Sequence, residues 1–158
     1  MQHSVDDFSA MLEVNLLASV VGTQAVLPGM RARGFGRIVN VASTAGLKGY
    51  AYVAAYVAAK HALVGLTRAL ALETVKDGIT VNAVCPGFTD TELVASATET
   101  IAASTGRTRE QARAALASSN PAGRLVRPEE VADTVAFLCR PSASAMTGQA
   151  IPVAFGEV

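Results

Sequence analysis

The sequence predicts an α/β fold with about three parallel strands and flanking helices in three layers, and three observations carry that prediction. Two short β-branched runs, "RIVNVAS" from Arg37 to Ser43 and "ITVNAVCPG" from Ile79 to Gly87, are apolar on both sides, as strands buried within a parallel sheet are. Each run follows a long helix-forming segment, and the order helix, strand, helix, strand implies parallel pairing through crossovers. A third short run, "QAIPVAF", follows one more helix near the end of the chain.

Ser4 is placed to cap the first helix, and Asp6 and Asp7 suit its positive end. Phe8, Leu12, Leu16 and Val20 continue a helical stripe to about Arg31, where Gly34 and Gly36 break it. After the first strand and the loop "TAGLKG" comes "YVAAYVAAKHALVGLTRALALE", rich in alanine and leucine, with Leu63, Leu66 and Leu70 at helical spacing. Asp77 and Gly78 stop this helix before the second strand. From Phe88 to Arg127 the composition turns to Thr, Ser and Ala, with weak helical segments and no strand-like run, and this stretch is expected to be a mobile excursion over a site. Pro128, Glu129 and Glu130 start a helix that Val131, Val135 and Leu138 carry to near Pro141. With no internal repeat or low-complexity linker, residues 1–158 are expected to form a single domain.

A chain of 158 residues that is 51% hydrophobic and 16% charged suits one domain with a substantial core. Thirteen basic and thirteen acidic residues balance, and no basic stripe interleaved with aromatics appears, so nucleic acid and anionic membrane are not expected partners. Asn15, Lys60, Arg68 and Glu73 interrupt the longest apolar stretches, so neither a membrane span nor a signal peptide is expected. Cys85 and Cys139 lack metal-ligand spacing and lie in apolar surroundings, which suits buried reduced thiols in the cytoplasm.

Tyr56 and Lys60 stand four residues apart, about one helical turn, so both project from one face. A free tyrosine titrates near 10, and a fixed positive charge beside it favours the phenolate; Lys60 could supply that charge. The same spacing also suits a core tyrosine beside a solvated lysine. In open parallel sheets ligands bind beyond the carboxyl ends of the strands, where Ser43 and the Pro86-Gly87 turn both fall. Ser43 precedes Tyr56 by thirteen residues, enough for a loop and a first helical turn, so hydroxyl and phenol could meet at one substrate oxygen. Asn15 is either part of this constellation or a side chain bonded to nearby backbone.

Taken together and in order, "VNL" with Asn15, "GRIVNVAS", Tyr56-x-x-x-Lys60, "ITVNAVCPG", "RPEEVA" and "TGQAIPV" resemble the short-chain dehydrogenase/reductase family from Asp6 to Val158. The resemblance implies a partial Rossmann-like fold and an NAD(P)-dependent oxidoreductase that interconverts a small-molecule alcohol and carbonyl by hydride transfer, without metal. It further implies Tyr56 as general acid/base, Lys60 lowering its pKa and holding the nicotinamide ribose, Ser43 binding the substrate oxygen, and Asn15 supporting a water and proton relay. For the cofactor it implies Pro86 and Gly87 bordering the nicotinamide, a backbone contact at Thr89 to the carboxamide, and Thr91 at the pyrophosphate. Thr89 stands where relatives usually have Ile or Val, and Phe155 where they often have Gly.

Relatives begin with a strand, a Gly-rich turn and a helix that hold the dinucleotide phosphates. None of the thirteen glycines here forms G-x-G-x-x-G or T-G-x-x-x-G-x-G, and Asn-Asn-Ala-Gly is absent too. The chain therefore reads as the carboxyl-terminal part of such an enzyme: a truncated gene model, a cleavage product or a real shortened protein. The choice between NAD and NADP stays open, and dinucleotide binding by the chain alone is expected to be weak. The alternative is a catalytically silent assembly module, because the helices bearing Asn15 and Tyr56 resemble the pair that joins subunits in the family's tetramers. An unpaired apolar edge on the Arg37 to Ser43 strand would also favour a homo-oligomer.

Overall fold

The structure is a computed structural model that describes residues 3–158. Ser4 caps α1 (Val5–Leu12) reciprocally with Asp7: its hydroxyl accepts from the Asp7 amide at 3.2 Å while the Asp7 carboxylate accepts from the Ser4 amide at 2.8 Å. The helix continues through one π-helical turn (Glu13–Leu17) into α2 (Ala18–Arg33), and Gly34 ends it with a left-handed φ of 65°. The π turn, which the hydrophobic periodicity does not announce, sits where Asn15 breaks the apolar stripe.

The sheet order is β1 (Gly36–Val41), β2 (Ile79–Pro86), β3 (Ala150–Val153), all parallel. Register pairs Gly36 with Ile79 through Val41 with Val84, and Ala83 with Ala150 through Pro86 with Val153. β2 is central and buried along its length up to Pro86. Among the described residues β1 pairs only with β2, and at its end Val41 is 54% exposed.

Crossovers place helices on both faces. α3 (Ala54–Thr74) and α2 cover one: Ile79 and Val81 pack with Ala71, Leu27 and Met30, while Ala83 and Cys85 pack with Leu63 and Val64. Alternate β2 residues point to the opposite face, where α6 (Pro128–Leu138) packs across all three strands. Buried asparagines tie the layers. Asn40 on β1 donates to Thr67 Oγ1 on α3 at 2.9 Å, and Asn82 on β2 donates to the Met146 carbonyl at 2.8 Å and accepts from the Gln149 amide. Gly78, at φ 72°, precedes β2 where any Cβ would strike the Gly34 carbonyl oxygen, so only glycine fits that approach.

Three expectations change. Residues 88–127 are better organised than their composition suggests. They form α4 (Glu92–Thr105) and α5 (Arg109–Ser119), the latter opened by a Thr108/Gln111 capping box, and one parallel bridge pairs Thr89 with Val126. Cys85 is buried as expected, but Cys139 ends α6 exposed, because it falls on that helix's outward side. Finally, the first helix runs on as expected, Val5–Arg33 over 29 residues, but Asn15 does not make it too polar to span: by length and composition it is long and apolar enough to cross a membrane. Its apolar residues divide between a stripe packed on the sheet through Leu27 and Met30 and an exposed stripe of Val14, Leu17 and Val21.

Candidate active site

The carboxyl ends of β1 and β2 open into a cleft of about 620 Å³, and Ser43, Tyr56, Lys60, Pro86, Gly87, Thr89 and Thr91 all line it. Seven of the eight residues singled out from the sequence are thus brought together. Each arrives there for a local reason.

Past Val41 the ladder persists for one bond, Ala42 N–H to Val84 O at 2.8 Å, and Ser43 then caps a short 3₁₀ turn (Thr44–Gly46). Ser43 Oγ accepts from the Ala45 amide at 3.1 Å, which fixes the oxygen and leaves its O–H to donate elsewhere. Gly46 lets that turn settle against α3, since a Cβ there would stand 2.8 Å from the Lys60 carbonyl oxygen. α3 then presents Tyr56 in its first turn and Lys60 one turn later.

Lys60 is buried, and its Nζ donates to the Val41 carbonyl at 3.0 Å. Burial pulls its pKa below the ordinary lysine value, with the Cys85 thiol beneath acting the other way. The phenol of Tyr56 is raised above the ordinary tyrosine value by burial, and hydrogen bonding to the Ser43 hydroxyl opposes that rise. The net direction thus differs from the expected lowering: burial raises the Tyr56 pKa in this structure. One of the Lys60 ammonium N–H groups donates to Val41 and the nitrogen lies 5.6 Å from the centre of the Tyr56 ring, while the group that opposes the rise of the phenol is the Ser43 hydroxyl.

Asn15 stays out of the group. In the π turn its Nδ2 donates to the Met11 carbonyl at 3.0 Å, the local backbone bond that was the plainer of its two readings, and Met11 is the residue of this helix that reaches the cleft. On the far wall the Thr89–Val126 bridge uses the Phe88 carbonyl and the Asp90 amide, so it does not spend the Thr89 amide. Thr91 occupies the N-cap of α4 with no side-chain cap bond.

A second polar group on the same cleft has no counterpart among the residues picked from the sequence. Tyr50 lines the cleft, and its hydroxyl donates to the Glu157 carboxylate and lies 2.7 Å from Thr44 Oγ1. Lys48 Nζ meets Glu157 Oε1 at 3.0 Å. Burial, and then the Glu157 carboxylate, push the Tyr50 phenol up to about 12. The ring stands edge-on to Phe88 with centroids 6.4 Å apart. Nearby, buried Asn120 bonds both the amide and the carbonyl of Phe88 and so pins the end of α5 to the cleft wall. The available sequence signals were faint: an aromatic-rich loop, "YAY", and one acid in an otherwise apolar tail.

Known proteins are similar to this chain along nearly its whole length. A family model described as enoyl-(acyl carrier protein) reductase matches residues 1–157. A putative ketoacyl reductase of Streptomyces coelicolor is 46% identical over 148 residues, which cover 92% of this chain and 57% of that protein. D-β-hydroxybutyrate dehydrogenase of Cupriavidus necator is 40% identical over 151 residues, 92% of this chain and 58% of its own length. Among solved structures, a variant of actinorhodin polyketide ketoreductase with NADPH superposes at a TM-score of 0.93 with 42% identity, across 99% of this chain and 60% of that one. The chain thus spans somewhat over half the length of these relatives. A match along nearly its whole length, to a family model and to proteins that bear reductase and dehydrogenase names, means that the chain belongs to the short-chain dehydrogenase/reductase family.

Proposed function

We propose that this chain carries the catalytic group set of an NAD(P)-dependent oxidoreductase that interconverts a small-molecule alcohol and carbonyl. The observation that supports this best is the Ser43 hydroxyl and the Tyr56 phenol facing each other across one cleft, with Lys60 buried behind them. When bound, the nicotinamide supplies or takes the hydride. As a carbonyl is reduced, negative charge grows on its oxygen; the Ser43 O–H, oriented by the Ala45 amide, donates to that oxygen and the Tyr56 phenol gives it a proton. In the reverse direction the Tyr56 phenolate takes the alcohol proton. Asn15 belongs to the proposed relay only if its side chain leaves the Met11 carbonyl.

The residues present fit the nicotinamide end of a dinucleotide. Pro86 and Gly87 form one wall, the Thr89 amide is not used by its bridge, and Tyr56 and Lys60 stand opposite. Thr91, at the start of a 14-residue helix, suits an anionic group. No Gly-rich phosphate cradle occurs in these 158 residues, so weak dinucleotide binding by the chain alone is part of the proposal. A substrate lid formed by residues 88–127, a cytoplasmic location and a homo-oligomer complete it.

Incubating the chain with NADH or NADPH and a panel of ketones, beside a Tyr56→Phe control, tests the reading. Turnover that vanishes in the control supports it, and turnover that survives there sinks the assignment of Tyr56. A second reading, an assembly module without activity, draws on the exposed stripe of Val14, Leu17 and Val21 together with the free edge of β1. It predicts an intact 16.2 kDa species, self-associated and without turnover.

A further inference from the structure

Among the nineteen described residues that line the cleft Lys60 is the only ionic side chain, and its ammonium donates to the Val41 carbonyl. Lys48, whose Nζ stands 5.1 Å from the centre of the Tyr50 ring, is bound to Glu157 Oε1 at 3.0 Å and to the Glu157 carbonyl at 3.3 Å. The Glu157 side chain is only 5% exposed, and its second oxygen, Oε2, has no hydrogen-bond partner among the described residues. That oxygen lies against Gly87 on the cleft wall, 3.1 Å from where a Cβ would stand. A substrate anion that recruited Lys48 would leave a buried carboxylate without its counter-charge, which is strongly unfavourable. Lys48 is therefore not available to a ligand.

The Tyr50 hydroxyl is spent in the same way. It donates its one proton to Glu157 and lies against Thr44 Oγ1, so what it offers the cleft is the body of its ring, set edge-on to Phe88. Ala51, Val53, Leu93 and Val94 continue that apolar surface. We propose, building on the oxidoreductase reading, that the cleft selects an uncharged carbonyl compound with an apolar ring or chain, and that Glu157 sets this selectivity by holding the Tyr50 hydroxyl and the Lys48 ammonium away from the substrate. Glu157 is a positioning residue in this scheme, acting through Tyr50 and Lys48, and Tyr50 is the surface the substrate meets.

The test is equilibrium binding to the 158-residue chain, without dinucleotide, by saturation-transfer NMR titration. Two probes differ by one charge: cyclohexanone bearing a methyl group, or a carboxylate, on the ring carbon opposite the carbonyl. The methyl probe should bind at least about tenfold more tightly, since an unpaired carboxylate is poorly accommodated in an apolar cleft. Tyr50→Phe should hold the methyl probe within about twofold, whereas Tyr50→Ala should lose about tenfold, because the ring provides the contact. Glu157→Gln keeps an acceptor for the Tyr50 hydroxyl but removes the charge that holds Lys48, and should narrow the gap between the probes about fivefold or more; an unchanged gap in the folded variant overturns the proposal. If that variant does not fold by circular dichroism, Lys48→Gln takes its place: it should leave the gap within about twofold, since the ammonium never reaches the substrate, and a larger change overturns the proposal.

Equal binding of the two probes, no saturable binding of the methyl probe, or a Tyr50→Ala chain as competent as the parent overturns the proposal. The oxidoreductase reading fails separately. A chain with the expected binding pattern but no Tyr56-dependent turnover would sink that reading and leave the selectivity, while Tyr56-dependent reduction that prefers the carboxylate probe would do the reverse.

Discussion

Tyr56 and Tyr50 stand six residues apart on the same cleft, and burial raises the pKa of both, yet their surroundings fit them for different work. At Tyr56 the Ser43 hydroxyl opposes the rise; at Tyr50 the Thr44 hydroxyl opposes it too, but the Glu157 carboxylate outweighs it and adds to the rise. A phenol beside a neutral donor can give up its proton and take it back, whereas one hydrogen-bonded to a carboxylate holds its proton more tightly. The difference comes from where each is carried. Tyr56 rides the first turn of α3 toward Ser43 at the end of β1, while Tyr50 lies in the preceding loop and meets Glu157 from the chain's end. Position on the cleft is thus not enough to assign a role; the partner decides which phenol exchanges protons.

Deleting each hydroxyl is the sharpest test of that contrast. Tyr56→Phe in an active form should cost on the order of 10²–10⁴ in turnover, the range for a general acid or base, with an unchanged circular dichroism spectrum. Tyr50→Phe should change turnover by no more than about threefold, because its proton is never offered to the substrate. If the two substitutions cost the same, the distinction collapses. Ser43→Ala comes next, at about 10²–10³ in kcat by analogy with other oxyanion donors. A loss below about twofold would leave Ser43 only its capping of the 3₁₀ turn.

These two walls were unequally legible in the sequence. The Ser43–Tyr56–Lys60 wall is built from elements whose periods are plain: a β-branched strand, a helix, and a turn at each strand's carboxyl end. Four-residue spacing places Tyr56 and Lys60 on one face whatever the rest of the fold does. What spacing could not reveal was the Lys60 bond to Val41, since it depends on the height at which α3 crosses β1. Asn15 was ambiguous for a related reason: a polar residue inside a helix bonds its own backbone or reaches outward, and only the π turn settled it on Met11. The Tyr50–Glu157 wall joins residues 107 positions apart, and no local pattern carries a pairing across that distance. In α4 and α5 the Thr, Ser and Ala content hid sound helices, because their buried residues, such as Val94, Ala112 and Leu116, are few and meet each other more than the sheet.

A third test reads the two phenols by alkaline titration of tyrosine absorbance in the isolated chain. Tyr50 should ionise near 12 rather than near its ordinary value of 10.0, and Glu157→Gln should bring it down. The consequence for stability has a definite sign. The folded chain keeps the Tyr50 proton through a range in which the unfolded chain releases it, so this stabilisation is complete below about pH 10 and fades as pH climbs toward 12. Urea midpoints measured across that interval should fall with pH, and fall less steeply in Glu157→Gln. Parallel slopes in the two proteins would remove Glu157 from the account of Tyr50.

The smallest expected effect lies in the turn that delivers Glu157 to Tyr50. The Glu157 amide closes on the Ala154 carbonyl at 3.1 Å, and the two residues between, Phe155 and Gly156, have φ of 55° and 80°. Positive φ at both central positions is the pattern that favours Asn-Gly, and a bulky side chain at the first of them is strained by about 1–2 kcal/mol. Here Phe155 is partly compensated by the Arg124 guanidinium, stacked 4.4 Å from its ring centre, a contact of about 0.5–1 kcal/mol at an exposed site. The strain outweighs the stack by a small margin, so Phe155→Asn should raise stability by about 0.5 kcal/mol. Because the turn itself is kept, the Tyr50 titration should not move. In an Arg124→Ala background the gain should grow, since the compensating contact is already gone. A loss of stability beyond about 1 kcal/mol on Phe155→Asn, or a shifted Tyr50 titration, would show that the Phe155 ring rather than the backbone turn holds Glu157 against the cleft.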